Sequence, residues 1–314
     1  MFHNIPNTIH VVTRNPKSGF NFDEDNIKME FKFCNKYIDS DQEHHNNFCK
    51  YQKEYNRYKD ILPFEYNTIE INSGKEGNHY INASLIKTYH ENDKKNERNY
   101  FIATQGPKPN TIKDFWTMID EKGCQMIVML CQLEENNKKK CEKYWNTEFT
   151  QIEEYNENKW IFRNIQYELN SNKKKEKKEN EEKKENEEKK EKKNVTQIHF
   201  TEWKDKDVPE EEYDKFIEAF DAIDRGRKDE KNKDTPVVVH CSAGVGRTGT
   251  FIAMYYLYKE IEGQIKKEQD EIKFSIFNLV RKLKEMRAYL VQTEEQYLFL
   301  YKFVQHYLKK NNII

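Results

Sequence analysis

What this chain lacks narrows its class. It has no CxxC pair and no Cys/His cluster of zinc type: the six cysteines, Cys34, Cys49, Cys124, Cys131, Cys141 and Cys241, are irregularly spaced, so neither a disulfide scaffold nor a structural zinc site is expected. No apolar run approaches the roughly 18 to 20 residues that cross a bilayer. The opening MFHNIPNTIHVVTRNPKSGF has no apolar signal core, and neither end carries a lipidation motif. Charge of one sign is also missing. The 54 Lys and Arg against 55 Asp and Glu leave a net charge of -1, which removes any global pull toward nucleic acid or a membrane surface. These absences point to a cytoplasmic protein with reduced thiols, no nucleic-acid partner and no membrane span. Its 314 residues suit one large α/β domain with a sizeable core.

Apolar residues are absent altogether from SNKKKEKKENEEKKENEEKKEKKN, residues 171–194, which therefore has nothing to bury against its ordering entropy. Its 11 lysines and 8 glutamates between Lys173 and Lys193 leave a local charge of +3. Glu179 with Lys183, Glu185 with Lys189 and Glu188 with Lys192 are helix-stabilising pairs, so a solvated, fraying helix is as plausible as coil. The segment reads as a surface insertion, since added loop length brings little closure entropy; a docking segment is the second reading. WIFRNIQYELN before it and VTQIHFTEW after it alternate like half-buried strands, which places the insertion at the tip of a β-hairpin.

YINASLIKTY, NYFIATQGP and CQMIVMLCQL read as further strands, and NTIKDFWTMIDEKG as a helix. Downstream, Phe251, Met254, Tyr255, Tyr258 and Ile261 share a helical face, as do Ile276, Leu279, Val280 and Leu283, and then Tyr297, Leu300, Tyr301, Val304 and Tyr307. The mixture predicts an α/β fold: a twisted mixed β-sheet flanked by helices, with a helical C-terminal half. Residues 1–27 read as a poorly ordered lead-in, and one domain is expected over 28–310 with the 171–194 insertion inside it.

The stretch VVVHCSAGVGRTGTF, Val237 to Phe251, passes from a buried strand to a helix through Cys241 to Gly246. Gly244 and Gly246 permit positive φ or close approach of the backbone, and Ser242, Ala243 and Val245 add little bulk. Such a turn can aim several N–H groups and a helix N-terminus at one point, which suits a phosphate or sulfate. Arg247 adds a planar fork for two anion oxygens. A helix N-terminus and a guanidinium also favour the thiolate of Cys241 and make it a nucleophile. A nucleotide-binding loop would need GxxxxGK[ST], which is absent.

His240 to Gly249 resembles the Cys-x5-Arg-[Ser/Thr] signature of the cysteine-dependent protein tyrosine phosphatases. Six further stretches resemble the tyrosine-specific, non-receptor branch in the family's order: YNRYKDILP, YINAS, FIATQGP, DFW, KCEKYW and LVQTEEQY. The resemblance covers roughly residues 50–305. It implies a metal-free and cofactor-free enzyme acting on phosphotyrosine-containing proteins through a cysteinyl-phosphate. By the resemblance, Cys241 is the nucleophile and Arg247 binds the phosphate, with the backbone of Ser242, Ala243, Gly244, Val245 and Gly246. Thr248 assists departure of the thiolate, and Gln292 and Gln296 position the hydrolytic water. His240 supports the thiol, Glu135 pairs with Arg247, and Lys140 contacts Asp205 or the substrate. Tyr58 sets the pocket depth and Asp60 orients the substrate backbone.

EWKDKDVPE resembles the family's mobile Trp-Pro-Asp loop; aligning Trp203 and Val208-Pro209 makes Asp205 the general acid, with Asp207 the alternative. The chain departs from the family here. Lys204 replaces the usual proline and frees the hinge backbone, so loop closure is expected to be less favourable. Lys206 and Asp207 stand where an aromatic residue and a glycine are common. Tyr289 adds bulk at the pocket rim, while Thr68, His79 and Asn146 read as structural departures. Competing readings are a pseudophosphatase that binds phosphotyrosine without turnover, a dual-specificity phosphatase and a phosphoinositide phosphatase. The neutral signature loop and the Tyr58 segment argue against the last two.

Overall fold

The computed structural model describes all residues except 1–8, 18, 41–47, 51, 73–78, 88–98, 170–191, 206, 210, 211 and 228–234. In chain order its strands are β1 (His10–Thr13), β2 (Thr68–Glu70), β3 (Tyr80–Lys87), β4 (Asn99–Thr104), β5 (Met126–Met129), β6 (Glu134–Glu135), β7 (Lys138–Lys139), β8 (Thr150–Glu157), β9 (Trp160–Tyr167), β10 (Lys193–Phe200), β11 (Val237–His240) and β12 (Glu271–Phe274). The α-helices are α1 (Glu24–Ser40), α2 (Ile112–Glu121), α3 (Tyr213–Gly226), α4 (Gly246–Lys266), α5 (Ile276–Met286) and α6 (Glu294–Lys310).

Three consecutive valines cannot alternate between core and solvent, so β11 must be covered on both faces. It lies inside an eight-stranded sheet of order β2-β3-β4-β11-β5-β10-β9-β8, and Val237, Val238 and Val239 are all buried. Burial of each valine contributes about 1.5 to 3 kcal/mol. The centre of the sheet is parallel, β4 with β11, β11 with β5 and β5 with β10, and both flanks are antiparallel. The expected mixed sheet and helical C-terminal half are therefore present.

The ends of the parallel strands position the site. His240, at the end of β11, pairs with Thr104 of β4 and Met129 of β5, so the turn that follows opens beside the segments leaving those two strands. Helix α4 begins at Gly246 and is buried on nearly every side, Ile252, Ala253, Tyr256 and Leu257 included. The expected single apolar face thus understates it: α4 is a core helix between the sheet and α6.

Part of the expected lead-in is ordered. β1 pairs antiparallel with β12, Phe20 is buried against Phe274 and Tyr301, and α1 starts at Glu24. Edge pairing and aromatic packing supply what the sparse apolar content of this stretch did not signal. β9 and β10 form the expected hairpin, and Lys193 and Asn194, counted with the insertion, belong to β10. Most of the insertion, with its three Lys/Glu pairs, and Lys206 lie outside the described residues.

Candidate active site

Every carbonyl of the turn after β11 accepts a hydrogen bond from the surrounding protein. His240 O accepts from Leu130 N at 2.9 Å, Cys241 O from His240 Nδ1 at 3.1 Å and Ser242 O from Gly106 N at 2.9 Å. Ala243 O and Gly244 O accept from Arg287 Nη2 and Nε at 3.2 and 2.9 Å. Val245 O accepts from Gly249 N and Val291 N, and Gly246 O from Thr250 Oγ1. In a trans peptide the following N–H points away from the carbonyl, so engaging the carbonyls outward turns the amides inward. Among the described residues, no backbone acceptor takes the N–H groups of Ser242 to Thr248. Gly244 is needed for this winding: its φ is +72°, and an added Cβ would meet Thr104 O at 2.2 Å. Gly246 lets the side chains of Gln292 and Gln296 approach, since its Cβ would lie 3.1 to 3.2 Å from them.

Cys241 is 3% exposed at the mouth of this nest. Arg247, 1% exposed, donates from Nη1 to Glu135 Oε1 and to Trp203 O, each at 2.6 Å. Its Nη2 and the hydroxyl of Thr248 are buried with no hydrogen-bond partner among the described residues. Buried donors left open are costly, and two beside a row of inward amides fit a bound oxyanion. Burial opposes the charge on Arg247, but the Cys241 sulfur, Cys131 and Glu135 outweigh it and raise the guanidinium above its ordinary value. Glu135 is aimed by local sequence. The β6–β7 hairpin turns through Asn136 and Asn137, both at positive φ (51° and 56°), a backbone that Asn tolerates and that matches hairpin twist.

Asp205 completes the pocket. Its Oδ2 is 2.6 Å from Lys140 Nζ and its Oδ1 3.6 Å from Arg247 Nη2. Burial disfavours the Lys140 ammonium, yet the hydrogen bond and charge of Asp205 raise its pKa overall. The loop is held by the Trp203 indole, which donates to Asp207 O at 2.7 Å, and by a turn from Asp207 N to Lys204 O at 3.2 Å. These contacts keep Asp205 over the pocket with a lysine at position 204.

Tyr58 OH lies 3.0 Å from Ser242 Oγ, which donates to Lys140 O at 2.9 Å, so the tyrosine, serine and lysine form one wall. Asp60, two residues after Tyr58 in the chain, is exposed. Among the described residues, no cluster of three or more His, Cys, Asp and Glu side chains is arranged to hold a metal ion. Nor is any helix long and apolar enough to cross a membrane.

The family model described as protein-tyrosine phosphatase matches residues 52–306. The chain belongs to the protein-tyrosine phosphatase family. It is 35% identical over 266 residues to human receptor-type tyrosine-protein phosphatase C, covering 80% of this chain and 18% of that protein. It is 32% identical over 259 residues to human tyrosine-protein phosphatase non-receptor type 12, covering 81% of this chain and 30% of that one. The chain thus spans under a third of either relative. Among solved structures it is similar to the catalytic domain of human protein tyrosine phosphatase non-receptor type 18, with TM-score 0.71, 28% identity and coverage of 90% of this chain and 96% of that one.

In this phosphatase fold Cys241, Arg247, Asp205, Lys140, Glu135, Trp203 and Tyr58 lie around one pocket. Gln296 is more committed than expected: its Oε1 accepts from Gln292 N at 2.9 Å and caps the start of α6, while both Oε1 and Nε2 stand 3.1 Å from where a Cβ on Gly246 would lie. Sequence reasoning missed Arg287 and Arg57. Arg287, fully buried with its pKa lowered by burial to about 10, holds the carbonyls of Ala243 and Gly244. Arg57 donates to Gly106 O and Pro107 O at 3.1 and 2.6 Å and fixes the turn beside Ser242. Each lies in a quoted or adjoining motif, but a lone arginine there reads as a solvated charge.

Proposed function

We propose that this protein hydrolyses phosphotyrosine in proteins through a cysteinyl-phosphate intermediate. The observation that carries the reading is the convergence on one pocket of the buried Cys241, the Nη2 of buried Arg247 and the carboxyl of Asp205 at its mouth. In the first step the Cys241 thiolate attacks phosphorus and forms the S–P bond while the P–O bond to tyrosine breaks. Asp205 gives its proton to the departing phenolate. The inward amides and Arg247 bind the equatorial oxygens, whose charge they offset in the transition state. In the second step Gln292 and Nε2 of Gln296 hold water; its oxygen bonds to phosphorus, the S–P bond breaks and Asp205 takes the proton. Thr248 Oγ1, buried and open, donates to the thiolate as it leaves.

Tyr58 gives the pocket a wall that favours a phosphorylated phenol over the shorter phosphoserine. The similar non-receptor type 18 phosphatase has been solved in complex with HER2 phosphopeptides, which supports phosphotyrosine-containing proteins as substrates here. The closed acid loop favours turnover over a binding-only pseudophosphatase. We place the catalytic domain at 28–310, read 171–194 as a surface insertion within it, with docking as the second reading, and read six free thiols as fitting the cytoplasm. The test is a panel of phosphotyrosyl, phosphoseryl, phosphothreonyl and inositide substrates with and without chelator. Hydrolysis of the phosphotyrosyl peptides alone, insensitive to chelator, is the expected result; preference for phosphoserine or an inositide contradicts the reading.

A further inference from the structure

A line of buried polar side chains runs through the sheet from the β8 edge to the nucleophile turn. Arg163 on β9 donates from Nε to Glu154 Oε2 of β8 at 2.6 Å and from Nη1 to Gln197 Oε1 of β10 at 2.6 Å. Gln197 Nε2 donates to the hydroxyl of Tyr144. Tyr144 OH lies 2.8 Å from His240 Nε2, and His240 Nδ1 lies 3.1 Å from Cys241 O. Arg163, Gln197, Tyr144 and His240 are all buried, and the Arg163 guanidinium also stacks 4.3 Å over the Trp145 ring. The mechanism above uses none of Arg163, Gln197 or Tyr144.

The direction of every bond in this line follows from its first member. A guanidinium has donors only. Arg163 therefore forces the amide oxygen of Gln197 toward itself and the amide N–H toward Tyr144. The Tyr144 oxygen then accepts, and its own proton goes to His240 Nε2; among the described residues the other acceptor it meets is the sulfur of Met129 at 3.9 Å. With Nε2 accepting, neutral His240 carries its proton on Nδ1, where it donates to Cys241 O. Arg163 fixes a second imidazole in the same way. It donates to His199 Nδ1 at 3.2 Å, so His199 is protonated on Nε2 and donates to Cys131 O at 2.8 Å. The charged or titratable groups around His240 are Tyr144, the thiols of Cys131 and Cys241, and His199.

We propose that Arg163, through Gln197 and Tyr144, is a positioning residue that imposes the Nδ1–H tautomer on His240 and thereby holds the Cys241 carbonyl out of the phosphate pocket. The catalytic part of this inference rests on the proposed function; the tautomer does not. The relay makes the outward pull on the first carbonyl after the strand independent of substrate, so the Ser242 amide is aimed before phosphate arrives.

The test changes the polarity of the line without changing its shape. Gln197→Glu keeps the pairing with Arg163 but removes the donor to Tyr144. Tyr144 then donates to the carboxylate, and His240 must donate from Nε2. Gln197→Leu removes the link without reversing it. Spectra of 15N-histidine protein, with the His240 signal assigned by a His240→Asn variant, are expected to show Nδ1–H alone in wild type, a mixture of the two tautomers in Gln197→Leu, and an Nε2–H signal in Gln197→Glu. A drop in kcat on a phosphotyrosyl peptide of roughly tenfold is expected in Gln197→Glu, the effect of one weakened hydrogen bond at Cys241 O. Nε2–H in wild type, or an unchanged tautomer in Gln197→Glu, overturns the proposal. The tautomers are read without turnover, so a wild-type protein inactive on phosphotyrosine would count against the proposed function and not against the relay.

Discussion

The ammonium of Lys140 and the carboxylate of Asp205 meet at 2.6 Å across the mouth of the Cys241 pocket, one from the segment after β7 and the other from the loop after β10. Lys140 is 10% exposed in its side chain and Asp205 42%, so solvent screens the pair on one side. Its value is set near about 1 kcal/mol. Lys140→Met is expected to lower kcat roughly fivefold through poorer loop closure and to leave the melting temperature nearly unchanged. Stopped-flow turnover beside thermal unfolding checks both halves.

Asp205 and Asp207 are two residues apart and have different surroundings. Asp205 faces Lys140 and Arg247, whereas Asp207 Oδ1 accepts from Val208 N and the residue lines a separate cavity of about 620 Å³ with Glu24, Glu295 and Lys302. Asp205→Asn is expected to reduce kcat on aryl phosphates with basic leaving groups by about 10² to 10⁴, the range for one general acid. Asp207→Asn is expected to change it little. Plotting kcat against leaving-group pKa for both variants is the check, and a steeper slope for Asp207→Asn would move the acid.

Glu135 is the carboxylate that holds the Arg247 fork, with the guanidinium 1% and the carboxylate 10% exposed in their side chains. Removing one partner of such a pair leaves a buried charge uncompensated, a loss of about 3 kcal/mol or more. Glu135→Ala is expected to lower kcat/KM on a phosphotyrosyl peptide roughly 100-fold and to lower the melting temperature with it. Arg247→Lys, which keeps charge and loses the fork, is expected to fail as badly.

His199 links the site to acid stability. Burial, with further opposition from Arg163 and His240, lowers its pKa from 6.5 to about 3. A depressed folded-state pKa means that the unfolded chain binds the proton first. Stability from neutral His199 is therefore complete above pH 6.5 and lost as pH falls toward about 3. The loss is on the order of a few kcal/mol. Urea unfolding at pH 7 and pH 4.5 checks this: His199→Gln is expected to lose clearly less stability between the two than wild type.

The chemistry was legible in the sequence because it sits in contiguous strings. VVVHCSAGVGRTG contains a buried strand, a glycine turn, a thiol and a fork in order, and short-range geometry fixes their relation. Glu135, Lys140 and Asp205 were found only through motif order, since nothing in ENNKKKC or WKDKD states that they meet. What stayed illegible depends on long-range contact. β1 needs β12, which follows it by more than 250 residues. Arg287 reads as the end of an amphipathic helix until the fold brings it under the nucleophile turn. Arg163 reads as a solvent-facing residue of an alternating strand until Gln197 and His199 cover it. Buried charge is invisible in a pattern that sorts residues by polarity.

The central claim is that phosphorus resides on the Cys241 sulfur during turnover. Mixing the enzyme with a 32P-phosphotyrosyl peptide, stopping the reaction within milliseconds in denaturant and mapping the labelled peptide measures this directly. The label is expected on the peptide containing Cys241, accumulating further in a Gln292→Ala variant and absent in Cys241→Ser. Turnover with no covalent label, or label on another residue, contradicts it.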